Sequence, residues 1–372
     1  MASRWVGTRP GSYVYPIVSE PLRPVSEDSS LALLRGADDE SRAAVRSPIR
    51  TTLLLGYFAT LVWWFGRAGV SLDKDVITIV VCGALAVWCI GRPVVEVRRL
   101  LVDWLPFLAA LLLYDMARAA AHTIDRPVLV NPQIRIDKLL TGGTLPTAWL
   151  QHRFFDDDTV HWWDVAATLV YVSHFFASFL VAGWLWPRDR AAWRTFAARF
   201  FLLSFAGAVT FALVPTAPPW AAAQFGRIAP ITRIADHGWV VLHLREPEVL
   251  LQRGQAIVNP YAAVPSLHAA YALLIAITLW RYVPRWVRPL LAVYPVAMGL
   301  TLVYTGEHYV VDVLIGWAYV LLAMFLERAT REPRRVLAAR IRSAWRYPDA
   351  RVRSVLGTSE AEEPAAVEGR VR

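Results

Sequence analysis

Eight apolar windows, each about 17–22 residues long, divide this chain from residue 52 onward. They lie near 52–70, 76–91, 103–121, 165–186, 197–215, 262–281, 287–306 and 308–327. A segment of that length crosses the hydrocarbon core of a bilayer, where each backbone N–H and C=O must find its partner inside the segment. Only a helix satisfies that condition in one strand of chain. The expected fold class is therefore all-α, a multi-pass integral membrane bundle of about eight transmembrane helices. Composition agrees: 56% of the residues are hydrophobic and only 19% charged, too little charge for a soluble domain. Seventeen Trp suit anchoring at the membrane interface.

The basic residues give the expected orientation. Arg92, Arg98 and Arg99 fall in the 92–99 loop, Arg188, Arg190, Arg194 and Arg199 in the 187–199 loop, and Arg281, Arg285 and Arg288 in the 281–288 loop. The tail after Arg328 is also Arg-rich. With eight spans all four lie on one side, which the positive-inside bias makes cytoplasmic. Both termini then return to that side of a cell membrane. The expected organisation is a polar, disordered arm over 1–51 without a signal peptide, a transmembrane catalytic domain over 52–327, and a basic cytoplasmic tail over 328–372. A formal charge of +9 confined to short loops and tails points to a lipid bilayer, not to nucleic acid, as the partner. Cys82 and Cys89, seven apart in one window, read as small core residues.

Two long connections, about 122–164 and 216–261, face the other side, and long loops gathered on one face of a bundle carry function. The first contains Leu139-Leu-Thr-Gly-Gly-Thr-Leu-Pro-Thr-Ala-Trp-Leu-Gln151, an amphipathic, Gly/Pro-broken stretch expected to lie at the interface and shield a site from lipid. The second opens with Pro215-Thr-Ala-Pro-Pro-Trp220, a rigid extended exit from its helix.

Near that outer face stand Val264-Pro-Ser-Leu-His268 and, forty residues later, Gly306-Glu-His308-Tyr-Val-Val-Asp312. Ionisable groups are costly at the ends of apolar helices and mark function when they occur there. His308 and Asp312 are four apart, so a helix brings them to one face. A carboxylate accepting from Nδ1–H fixes the tautomer that leaves Nε2 electron-rich, as a histidine nucleophile needs. Pro265-Ser266 reads as a helix start with Ser266 as cap and His268 in the first turn, where the helix dipole favours an anion and an imidazole can protonate a departing oxygen. Tyr114-Asp115-Met-Ala-Arg118 puts an Arg about one turn inside the third span, with Asp115 or a substrate phosphate as its partner. His174 lies about ten residues into its span and reads as a buried, hydrogen-bonded residue or a substrate contact. Tyr304, one turn before His308, reads as packing or substrate contact. Together these parts suggest phosphoryl transfer.

Other chemistries fit the same letters. A membrane-embedded histidine is often a satisfied core residue. His308 and Asp312 could be two metal ligands, but no third ligand motif accompanies them. Ser266 lacks the Gly-x-Ser-x-Gly elbow of a serine hydrolase. No metal and no cofactor is expected.

Pro265-Ser-Leu-His268 with His308-x3-Asp312 resembles the second and third signature motifs of the type 2 phosphatidic acid phosphatase superfamily. The resemblance covers about 103–327 and implies a six-helix phosphatase-type core. It implies that His308 forms a phosphohistidine, Asp312 orients it, and His268 protonates the leaving group. The phosphatase pattern has Gly where Leu267 stands, and Ser-Arg where Thr301-Leu302 stand. Its first motif, Lys-x6-Arg-Pro, is missing: Ala119 precedes Arg126-Pro127, and Leu85 precedes Arg92-Pro93 on the wrong side. Two phosphate-binding cations are thus absent, and Arg118 is expected to take over part of their charge. Pro-Ser-Leu-His, Thr-Gly-Glu-His-Tyr-Val-Val-Asp and Pro-Thr-x-Trp-Leu-Gln look instead like the inositol phosphorylceramide synthase (inositolphosphotransferase) branch. That resemblance implies a metal-independent transfer from a phospholipid or polyprenyl phosphate donor to a hydroxyl acceptor. Water as acceptor would make the protein a lipid or polyprenyl phosphate phosphatase, and an idle site would make it a membrane scaffold or transporter.

Overall fold

A helix stands in each of the eight apolar windows of the computed structural model. The structure describes residues 48–64, 67, 74–121, 126–239 and 260–346, without the side chains of 74, 75, 118–121 and 332–346. The expected disordered arm lies almost wholly outside the described residues. The helices are α1 (48–64), α2 (Lys74–Cys89), α3 (Val94–Ala121), α4 (Asn131–Leu140), α5 (Pro146–Phe154), α6 (Trp162–Arg188), α7 (Arg190–Leu213), α8 (Pro219–Gln224), α9 (Leu267–Leu279), α10 (Arg288–Tyr304) and α11 (Val310–Arg346). Among the described residues the only extended pairing is two isolated parallel bridges.

Among the described residues, four helices are long and apolar enough to cross a membrane: Val94–Ala117, Trp162–Arg188, Arg190–Leu213 and Val310–Arg331. Shorter apolar helices cover Val76–Cys89, Leu267–Leu279 and Arg288–Tyr304. The chain is a multi-pass membrane bundle.

Three boundaries depart from the sequence reading. The 187–199 stretch expected as an Arg-bearing loop is mostly helix, and the chain reverses at the single residue Asp189. Its carboxylate caps α7 by accepting from Ala192 N–H at 2.9 Å. Arg and Ala are strong helix formers, so polarity alone does not make a loop there. For the same reason α3 begins at Val94, directly after Pro93, and α11 runs on to Arg346 through the first part of the basic tail.

Helix α9 is the centre of the bundle and packs against α6, α7, α10 and α11. Its sequence explains why. Ala269, Ala270, Ala272 and Ala276 are all buried, and a helix that is small and apolar on every side admits neighbours all round. Outside it, Trp104 and Phe107 of α3 pack on Trp193 and Phe200 of α7 in an aromatic core, and α2 leans on α3 and α6. With thirteen residues α9 spans only about 20 Å, less than the bilayer core. Its first turn sits against His174, twelve residues into α6 and so about 18 Å below that helix's start. The first turn of α9 is thus recessed from the end of the bundle at which α6 and α11 start and α7 and α10 end.

Candidate active site

The roof of the recess is built from three distant loop segments. Leu129, Thr216 and Ala262 bridge in parallel: Leu129 N–H donates to Pro215 (2.8 Å), Thr216 N–H to Tyr261 (2.7 Å), and Val264 N–H to Thr216 Oγ1 (2.9 Å). This ladder delivers the chain to Pro265 and Ser266. Ser266 caps α9 as expected, its Oγ accepting from Ala269 N–H at 3.4 Å. Its own N–H donates to the carbonyl of Asp312 at 3.1 Å, which ties the two sequence motifs together backbone to backbone. Close approach there depends on Gly316, where an added Cβ would stand 2.4 Å from the Ser266 carbonyl oxygen.

His308 lies not in α11 but in the turn before it. The chain leaves α10 through Gly306 at φ +77°, and Glu307 and His308 both donate N–H bonds back to Leu302 (3.0 and 3.1 Å). His308 still meets Asp312, with Nδ1 3.5 Å from Oδ2. That same carboxylate oxygen accepts from Tyr309 N–H at 2.9 Å, while Oδ1 is buried with no hydrogen-bond partner. The next two N–H groups, of Val310 and Val311, go to Asp137 on α4, each at 2.9 Å. Burial pushes the Asp137 carboxyl above its ordinary range, against the opposing pull of those N–H groups.

His268 closes the recess from below. Its ring stacks on His174 with centroids 3.7 Å apart and on Tyr171 at 5.1 Å, and its Nε2 is buried without a hydrogen-bond partner. The His268 and His308 rings are 5.8 Å apart and inclined by 60°. The structure thus gathers His308, Asp312, His268, Ser266 and His174.

Tyr304 and Asp115 stand apart from this group. The Tyr304 hydroxyl is held by Asp164 Oδ1 (2.5 Å) and the Phe154 carbonyl (3.4 Å), pinning the end of α10 to the start of α6. Asp115 is half-buried on α3, which packs chiefly on α7 and α2, and the side chain of Arg118 lies outside the described residues.

Arg233 and Asp137 went unnoticed in the sequence reading. Arg233, between α8 and the short turn His237–Trp239, donates from Nε and Nη2 to the two oxygens of Glu307 at 2.6 and 3.0 Å. Its guanidinium lies over the Trp220 ring, 4.9 Å from the centroid. Burial works against the Arg233 charge, but Glu307 more than offsets it and raises the guanidinium pKa further. Gln151 clamps this loop to α10, donating to the Thr232 and Tyr304 carbonyls (2.8 and 2.9 Å) and accepting from Thr232 N–H (3.0 Å). Loop position alone pointed to this region, but no spacing rule singles out Arg233 or Asp137.

Comparison with known proteins covers the same part of the chain. The PAP2 superfamily profile matches residues 135–326, just over half of the sequence, from α4 into the first part of α11. That stretch holds five of the apolar helices and both motifs, with α3 packed alongside as a sixth. The phosphoinositol dihydroceramide synthase of Bacteroides thetaiotaomicron is 28% identical over 249 residues, covering 62% of this chain and 77% of the relative. Its name fits the inositolphosphotransferase-like branch suggested by Pro265-Ser-Leu-His268. No solved structure matches. With the motifs meeting at one recess and the profile spanning that entire region, this chain belongs to the PAP2 superfamily.

Proposed function

We propose that this protein moves a phospho-headgroup, of the inositol-phosphate type, from a membrane lipid to a hydroxyl acceptor through His308. The observation that carries the reading is the 5.8 Å approach of His268 to a histidine already backed by a buried carboxylate. Nε2 of His308 attacks phosphorus with its lone pair. The P–O bond to the lipid alcohol breaks, and the departing oxygen keeps that electron pair and takes a proton from His268. Asp312 steadies the positive charge that develops on the His308 ring, and its 3.5 Å contact tightens as that charge appears. An anionic donor favours the protonated form of His268 that the first step uses. In the second step neutral His268 accepts the proton of the incoming hydroxyl, the oxygen bonds phosphorus, and the P–N bond returns its electrons to His308. No step calls on a metal or a cofactor.

The site faces the extracytoplasmic side in this reading. Support comes from the Arg-bearing turns, since Arg98, Arg99, Arg190 and Arg285 all lie toward the opposite end of the bundle.

The test uses purified protein in vesicles of phosphatidylinositol radiolabelled at the headgroup phosphate. We expect acid-labile label on His308, none on His308→Asn, and faster discharge by ceramide or diacylglycerol than by water. Label on another residue, or none, overturns the phosphohistidine route. Discharge by water alone makes the enzyme a hydrolase.

A further inference from the structure

Anions have a problem at this lip. Glu307 precedes His308, Asp312 backs it, and Asp137 caps the turn that follows it, so carboxylates surround the nucleophile. A phosphodiester approaching that cluster is repelled unless a cation stands with it. Arg233 is such a cation. Two of its N–H groups are spent on Glu307, and the three others of the guanidinium carry no hydrogen bond to any other described residue. Its side chain is 36% exposed, and through Glu307 it is held one residue from the nucleophile.

Arg233 is also fixed. Ile234 N–H donates to the Thr305 carbonyl at 3.3 Å, and Gln151 grips Thr232 from both its N–H and C=O sides. Gly306 allows the close fit, because a Cβ there would lie 2.9 Å from Ile231 Cγ2 and 3.1 Å from the Thr232 carbonyl oxygen. Trp220 then holds the guanidinium plane from one side. A cation with an open edge, bolted to the same turn as the nucleophile, needs little rearrangement to meet charge in a transition state.

We propose that Arg233 is the phosphate-binding cation of this site, with Glu307 and Trp220 as its positioning residues. The assignment rests on the phosphotransfer reading above. It supplies charge that Thr301-Leu302 lack in the sequence, and it comes from an outer loop and not from a motif helix.

The experiment measures the rate of His308 labelling from radiolabelled phosphatidylinositol vesicles and, separately, the rise in melting temperature caused by orthovanadate. Arg233→Ala should label roughly 10²–10³-fold more slowly, the usual loss for one preorganised charge donor. Arg233→Lys should lose about 10-fold, since a point charge does not reproduce the planar fork. Added guanidinium ion should speed the Arg233→Ala variant but not Arg233→Lys, a rescue that a purely structural role would not give. The vanadate stabilisation should shrink in the same order. Wild-type labelling and wild-type vanadate stabilisation in Arg233→Lys and Arg233→Ala overturn the assignment, and the Lys variant alone decides if the Ala variant does not fold. A wild-type protein that takes no label on His308 overturns the phosphotransfer reading instead, and the vanadate series still reports on Arg233.

Discussion

Both ends of the bundle bury carboxylates, and they treat them differently. At the α6–α7 turn end, Asp103 accepts from Trp186 Nε1 at 2.9 Å and pairs with Arg190 and with Arg194 at 3.5 Å. Glu327 gives one oxygen to Arg199 (3.1 Å) and the other to Arg331 (2.9 Å). At the recess end, Asp312 keeps one oxygen unpartnered, and Nε2 of His268 is unpartnered too, though both atoms are buried. An unsatisfied buried polar group costs about 1–3 kcal/mol. A fold tolerates that where the missing partner arrives with substrate. The surrounding Gln151, Asp137 and Thr216 bonds offset the cost and hold the open groups in place. Paired carboxylates at one end hold helices together; at the other, the proposed function leaves the open oxygen of Asp312 for the reaction.

Exchanging Asp312 for Asn is the strongest attempt to break this contrast. Asn still accepts the Tyr309 N–H, so the melting temperature should stay within a few degrees of wild type. It cannot balance a cationic His308 ring, and turnover should fall by roughly 10²–10⁴-fold, by analogy with other carboxylate-backed histidines. Calorimetry beside a headgroup-transfer assay checks both. A large loss of melting temperature with proportionate loss of activity would make Asp312 another structural carboxylate, like Asp103.

How much of this contrast the sequence carries differs between the two ends. The apolar windows fixed the helices because bilayer length and backbone satisfaction leave no alternative, and His268, His308 and Asp312 stood out as ionisable groups at helix ends. Ser266 was legible as a cap from its place after Pro265. Arg233 was not, because its role depends on a loop folding back by way of Gln151, eighty-one residues away. Asp137 was hidden likewise, since an acidic residue on an amphipathic helix reads as solvated until α4 docks on α11. The Asp103 network was missed for the converse reason: its arginines looked like loop charges when they are helical and reach inward. Local pattern shows which residues are unusual, while long-range contact decides which unremarkable residues join them.

The second attempt targets the satisfied end. Asp103→Ala leaves Arg190 and the Trp186 N–H without their carboxylate, in a site where the Asp103 side chain is only 5% exposed. The half-open setting of Arg190 moderates the loss, so we expect destabilisation of roughly 2–3 kcal/mol, below the value for a fully buried pair. Transfer activity per folded molecule should be unchanged. A drop in turnover at full folding would show that the two ends are coupled.

The smallest effect sharpens the contrast through pH. Asp189 ties the α6–α7 turn to the end of α9, accepting from Ala192 N–H (2.9 Å), the Tyr282 hydroxyl (2.7 Å) and Arg281 (2.9 Å). The Ala192 N–H above all, then the Tyr282 hydroxyl, holds its carboxyl below the ordinary carboxylate range. A depressed pKa means that the unfolded chain binds the proton more readily. The stabilisation is therefore fully present above the unfolded value, about 3.9, and is lost as pH falls through the folded one. Asp189→Ala should lower stability by about 1 kcal/mol at pH 7, as expected for a helix cap on a partly exposed residue. In detergent, the gap between the two melting temperatures should hold from pH 7 to about pH 5 and narrow below about pH 4. A gap that persists unchanged to about pH 3 would assign the contribution of Asp189 to packing and remove charge from its account.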